Sequence, residues 1–130
     1  ETFGEKRRKI YPPDRINYKN FLKNTSIATS TMILSKKIIK GAKFTDTKIC
    51  EDYFFKCNIL KRINYAFCLN KILTRYRIRK DSLQGNNFKN LYWIWKINKM
   101  YNKLNFFENI LSIISISINS FKRYGLKNVF

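Results

Sequence analysis

The residues predict an α/β domain followed by a helical tail, on three observations. Apolar residues recur at helical spacing behind an acidic pair, Glu51-Asp52. Two runs between residues 65 and 78 alternate with a period of two, as strands do. Residues 88–121 carry two amphipathic helical patterns. A Gln84-Gly85-Asn86-Asn87 turn divides the chain into an α/β part, residues 1–84, and a tail, residues 85–130. The full length of 130 residues suits one domain with a real core.

In chain order, residues 1–14 read as an irregular lead-in, broken at Gly4 and at Pro12-Pro13. Residues 18–23 predict a short helix anchored by Phe21 and Leu22. Residues 25–34, TSIATSTMIL, are rich in β-branched residues and predict a strand. Residues 36–40 fit one helical turn, stopped by Gly41. A loop over residues 44–48 leads into a helix that starts at Glu51-Asp52 and buries Tyr53, Phe54, Cys57 and Leu60. A hairpin should follow, with Tyr65, Phe67 and Leu69 on one strand and Ile72, Thr74, Tyr76 and Ile78 on the other. In that second strand Arg75, Arg77 and Arg79 would share a face. The tail predicts one helix over residues 88–103 and another over 106–121, begun by Asn105, with Ile110, Ile113, Ile114 and Ile118 on a broad face.

Composition narrows the function classes. Three cysteines, Cys50, Cys57 and Cys68, stand beside no histidine and in no C-x-x-C spacing, which argues against zinc and for buried thiols in a reducing compartment. The net charge is +19, from 27 Lys+Arg against 8 Asp+Glu, and such a balance suits nucleic acid, an anionic membrane or an anionic substrate. The lysine surplus comes with abundant Asn and Ile throughout, so most of it reads as solvated surface. A small module that binds RNA or DNA stays as the alternative, although no aromatic sheet signature of an RNA-recognition domain occurs. No signal pattern is present, and the chain starts at Glu1 in place of Met, so it reads as a piece of a longer protein. Neither tail helix offers the roughly 20 apolar residues a membrane span needs. Core packing is the first reading of those helices, with contact at a membrane surface as the second.

On the residues alone, Glu51-Asp52 has two readings. A carboxylate in a first turn is stabilised by the helix dipole, and in most helices that is its whole role. It can also serve as a base, and beside an arginine-lined strand it would suit a phosphorylated substrate. The arginine row likewise reads either as a phosphate-binding face or as the solvated side of an edge strand.

The acidic pair at a helix start, the strand pair and the ending Tyr76-Arg77-Ile78-Arg79-Lys80-Asp81-Ser82 resemble bacterial family 2 glycosyltransferases, notably those that build teichuronic acid and other surface polysaccharides. The likeness runs over roughly residues 13–84 and fades along the tail. It implies the C-terminal, acceptor-side half of a GT-A fold and an inverting transfer from a nucleotide-sugar to a saccharide or lipid-linked acceptor. Asp52, seconded by Glu51, would be the catalytic base. Thr29, Ser30 and Thr31, on a strand beneath the acceptor, and Arg75, Arg77, Arg79 and Ser82, near the donor diphosphate, would bind substrate. Many members of the family have His where this chain has Arg79. The expected cofactor is a divalent ion, Mg or Mn, held mainly by an Asp-x-Asp in a segment before residue 1, since none occurs here. The expected location is cytoplasmic, with the tail at the inner face of the membrane as an option; no nucleic acid is expected as a partner. The 130 residues alone should be inactive.

Overall fold

Asn17 sets the first helix. Its extended backbone cannot continue a helix, and its side-chain oxygen accepts from the Asn20 amide at 2.8 Å, satisfying one of the donors that a helix start leaves open. In the computed structural model, which describes residues 9–44, 47, 49–75 and 87–124, helix α1 runs Tyr18–Asn24 and buries Phe21 and Leu22 as expected. Thr25 ends it in the left-handed region, φ 50°, with its amide donating to Phe21 O. Just before α1 lies β1, Arg15–Ile16, which pairs antiparallel with β2, Ala66–Phe67. Opposed residues share a face: Ile16 and Ala66 turn to the core, while Arg15 and Phe67 turn out. These two strands make the only sheet among the described residues.

Two predicted elements come out differently. Residues 25–34 are not a strand; Thr29–Thr31 form a 3-10 turn on an exposed stretch. The competing force is local: the Thr31 hydroxyl donates to Ala28 O at 3.0 Å, which offers the backbone a turn where no strand among the described residues offers a ladder. The hairpin is likewise absent over its described part. Tyr65–Leu69 alternate as predicted, but the partner of β2 is β1, and the Cys68 amide extends that pairing to Asp14 O at 2.8 Å. Residues 72–75 are exposed and irregular. Tyr76 and the rest of the second run lie outside the described residues.

Helix α2, Lys36–Ile39, is one turn long, and Gly41 follows it at φ 71°, a backbone position that L side chains rarely adopt. Arg62 holds this turn from afar, donating to Ile38 O and Lys40 O at 2.9 Å each. Helix α3, Glu51–Leu60, carries the predicted stripe: Tyr53, Cys57 and Leu60 are buried, and half-buried Phe54 packs edge-on to Tyr101 at 4.8 Å. Phe55, Lys56 and Ile59 are buried too, so α3 is covered on most of its circumference. All three cysteines are free; Cys57 is buried as expected, whereas Cys50 and Cys68 are half-buried.

The tail forms α4, Asn87–Met100, and α5, Phe106–Tyr124, within a residue or so of the expected starts. Asn105 and Glu108 cap α5 reciprocally: the Glu108 amide donates to Asn105 Oδ1 at 2.9 Å and the Asn105 amide to Glu108 Oε2 at 3.0 Å. The tail is not an appendage. α5 packs on α1 and α4, and Ile94, Ile97 and Ile116 belong to the same core as Phe21 and Cys57. Only part of the broad face expected on α5 is inside: Ile113 packs on the core, whereas Ile114 and Ile118 are exposed. The buried positions include Asn109 and Ser112, both polar.

Asn98 explains that choice. It is fully buried, accepts from the Tyr53 hydroxyl at 2.8 Å and from Asn102 Nδ2 at 3.0 Å, and donates to Asn109 Oδ1 at 3.2 Å and Ser112 Oγ at 3.1 Å. Ser112 Oγ passes its own proton to Leu22 O at 2.6 Å, and Asn109 Nδ2 donates to Trp95 O at 3.0 Å. Three helices, α3, α4 and α5, therefore meet at one amide, and α1 joins them through Ser112. Asn98→Leu should fill the space yet strand the Tyr53 hydroxyl and the Asn109 oxygen, at a cost of about 2 kcal/mol or more. A urea unfolding midpoint that does not move would refute this reading of the core.

Candidate active site

The first turn of α3 presents Glu51 and Asp52 where the helix dipole favours negative charge. Glu51 is exposed, while Asp52 is half-buried and faces the Thr29 turn. Thr29 Oγ1 donates to Asp52 Oδ2 at 2.8 Å, joining positions 23 residues apart. Lys56 Nζ, one helical turn further along α3, reaches the same oxygen at 2.7 Å. The lysine side chain is only 7 % exposed and that of Asp52 29 %, so this pair is shielded from solvent unlike an ordinary surface ion pair.

The surroundings set the charge state. Burial by itself would push the Asp52 carboxyl up, but the Lys56 hydrogen bond and charge, the Thr29 hydroxyl and the Tyr53 amide together outweigh it and hold the carboxyl below its ordinary value. Asp52 is thus a carboxylate at neutral pH. The neighbouring thiols behave oppositely: burial pushes Cys50 up to about 12 and Cys57 up to about 11, so both are protonated and poor nucleophiles or metal ligands. Among the described residues no cluster of His, Cys, Asp or Glu could hold a metal ion.

Of the residues singled out from the sequence, the structure joins Asp52 and Thr29 directly. Thr29 was expected to touch substrate, and its hydroxyl is engaged by the carboxylate. Ser30 is exposed beside it, and the Thr31 hydroxyl is turned onto Ala28 O. Arg75 is exposed on irregular backbone, and Arg77, Arg79 and Ser82 lie outside the described residues, as does the row the three arginines were to form. Lys56 went unnoticed in the sequence, although its spacing from Asp52 is the i, i+4 relation by which helical ion pairs form. It reads as one more surface lysine in a chain with 27 basic residues.

The chain resembles surface-polysaccharide glycosyltransferases. It is 22% identical over 114 residues to the Bacillus subtilis (strain 168) protein named "Putative teichuronic acid biosynthesis glycosyltransferase TuaG", an alignment that covers 88% of this chain and 45% of the relative. It is 31% identical over 90 residues to WfgD of Escherichia coli, covering 68% of this chain and 35% of that protein. With WfaP of Escherichia coli the identity is 38% over 79 residues, 61% of this chain and 31% of the relative. Both Escherichia coli proteins are named as UDP-Glc:alpha-D-GlcNAc-diphosphoundecaprenol beta-1,3-glucosyltransferases. The chain spans less than half the length of each of these relatives. No protein-family model matches it, and neither does any solved structure. The small sheet and helical cluster neither establish nor conflict with the GT-A fold that these relatives suggest.

The Asp52 environment predicts a pH signature. A carboxyl held below its unfolded value contributes stability that is present above that value and is lost as pH falls through the folded one. In Lys56→Met the largest opposing influences vanish while burial remains, so the carboxyl should rise and the stability lost on acidification should shrink. Urea midpoints of both proteins between pH 3 and 6 would test this; parallel curves would mean that Lys56 does not govern Asp52.

Proposed function

We propose that this chain is the acceptor-side part of a glycosyltransferase that moves a sugar from a nucleotide-sugar to a saccharide or lipid-linked acceptor in surface-polysaccharide assembly. The transfer inverts the anomeric centre, in the manner of family 2 enzymes with a GT-A fold, and Asp52 is its base. The observation that carries the reading is the Asp52 carboxylate, ionised and fixed by Thr29 and Lys56 at the mouth of α3. The resemblance to TuaG, WfgD and WfaP supplies the reaction class.

The chemistry asks for a carboxylate whose orientation does not have to be found during the reaction. Both side-chain donors converge on Oδ2, which stops the carboxylate from rotating and assigns the acceptor proton to Oδ1. As the acceptor oxygen bonds to the anomeric carbon and the sugar–phosphate bond breaks, Oδ1 takes the hydroxyl proton. A carboxyl held low is a weak base, so proton transfer runs late, once the attacking oxygen has become acidic through bond formation. Glu51, exposed on the same turn, sits at the rim and is assigned a lesser part. The arginines at 75, 77 and 79 and Ser82 are proposed to hold the donor diphosphate, on the strength of the resemblance. A divalent Mg or Mn ion belongs in this proposal to the donor-binding part of the whole protein, and no step here is routed through it.

Two substitutions test the proposal in the whole protein. Asp52→Asn keeps the size and both contacts of the side chain in reach, yet the amide cannot accept a proton; turnover should fall on the order of a hundredfold or more with donor binding retained. Near-normal turnover in a folded protein would remove Asp52 as the base. Arg79→Ala should weaken nucleoside diphosphate binding by calorimetry, and Arg79→Lys should restore it only in part, because the bidentate fork is lost. Unchanged affinity would return the arginines to a solvated face.

A further inference from the structure

Helix α5 is amphipathic with its two sides inverted. Towards the protein it turns Asn109, Ser112, Ile113, Ile116 and Asn119, and three of these five make hydrogen bonds to Trp95 O, Leu22 O and Lys23 O. About half a turn away, at 3.6 residues per turn, lie Phe107, Leu111, Ile114, Ile118 and Phe121. These are 75, 59, 50, 49 and 41 % exposed. They form an apolar strip about 20 Å long, set on a helix whose polar side is fixed inward by its own hydrogen bonds. A helix that buries asparagine and serine and shows phenylalanine and isoleucine has a partner for the shown side.

We infer that this strip lies in the plane of an anionic lipid bilayer, with α5 seated at the level of the headgroups. Three features of the molecule select lipid over a second copy of the chain. Residues 87–124 carry Lys89, Lys96, Lys99, Lys103 and Lys122, besides Arg123, which is turned onto Asn24, against the single acid Glu108, a balance complementary to anionic headgroups. The neighbouring helix α4 shows Tyr92 beside Lys96, whose ammonium lies 5.9 Å from the Tyr92 ring and 5.1 Å from the Trp93 ring, the pairing of aromatic and cation that suits a membrane interface. The strip is flanked by Ser115, Ser117 and Ile110, lacking the run of opposite charges that registers a coiled-coil seam. No helix among the described residues is long and apolar enough to cross a membrane, so α5 lies along the surface. The inference stands on helix geometry and does not require sugar transfer.

The test is co-sedimentation of the full 130-residue chain with vesicles of mixed phosphatidylglycerol and phosphatidylcholine, beside vesicles of phosphatidylcholine alone. The chain should bind the mixed vesicles, more weakly the neutral ones, and salt should weaken but not abolish binding. Leu111→Ser with Ile114→Ser, both exposed, should keep the helical circular dichroism and bind the mixed vesicles at least about tenfold more weakly. If that pair perturbs folding, Phe107→Ser with Phe121→Ser serves the same purpose. Binding by the variants equal to that of the unaltered chain would overturn the inference, since charge alone would then account for adsorption. Absence of binding to both vesicle types would overturn it too, as would a dimer broken by the same substitutions in a chain that ignores vesicles.

Discussion

A buried amide governs this fold. Asn98 has no exposed surface, and the polar groups around it cannot turn to water. Each must therefore be brought to a partner, and the partners sit on α1, α3, α4 and α5. An apolar core would have tolerated several rotations of α5 about its axis. The Asn98 network tolerates one, because Asn109 and Ser112 must both face inward for their bonds to close. The exposure of the apolar side of α5 follows from that requirement, since a helix cannot turn both faces to the same neighbours.

The Asp52 cluster shows the same principle on a smaller scale. A half-buried carboxylate needs donors, and the chain supplies one from its own helix, Lys56, and one from the distant turn, Thr29. Lys56 is itself buried, so the pair depends on mutual neutralisation: removing either partner leaves the other uncompensated. This makes the 3-10 turn at Thr29–Thr31 part of the site even though its side chains are largely exposed. It also ties the position of residues 25–34 to the start of α3, with the chain between them spanned at its far end by Arg62 on Ile38 O and Lys40 O.

Sequence and structure agree best where a local signal was complete. Asn105 is a capping residue followed by apolar spacing, and it opens a helix; the stripe behind Glu51-Asp52 and the stop at Gly41 are of the same kind. Strands were less legible. Alternation at Tyr65–Leu69 identifies extended chain but not its partner, and the ladder went to Arg15–Ile16, some fifty residues upstream. At residues 25–34 β-branched composition lost to a local turn, closed where the Thr31 hydroxyl bonds Ala28 O. Asp52 was marked from its place in a first turn and from the resemblance, and Thr29 was marked for substrate; that the two touch is a fact of long-range packing.

The sequence by itself determined the helices, the basic charge, the free thiols and the resemblance to glycosyltransferases, because capping, periodicity and motif spacing are written in neighbouring residues. Only the tertiary structure decided which face of α5 is buried. Hydrophobic periodicity favours burying Ile114 and Ile118, but it does not count hydrogen bonds, and the buried Asn98 amide closes its bonds only with Asn109 and Ser112 turned inward. Tertiary structure likewise made Lys56 a partner of Asp52 instead of one more solvated lysine, because burial is a property of what packs around a residue and not of its own chemistry.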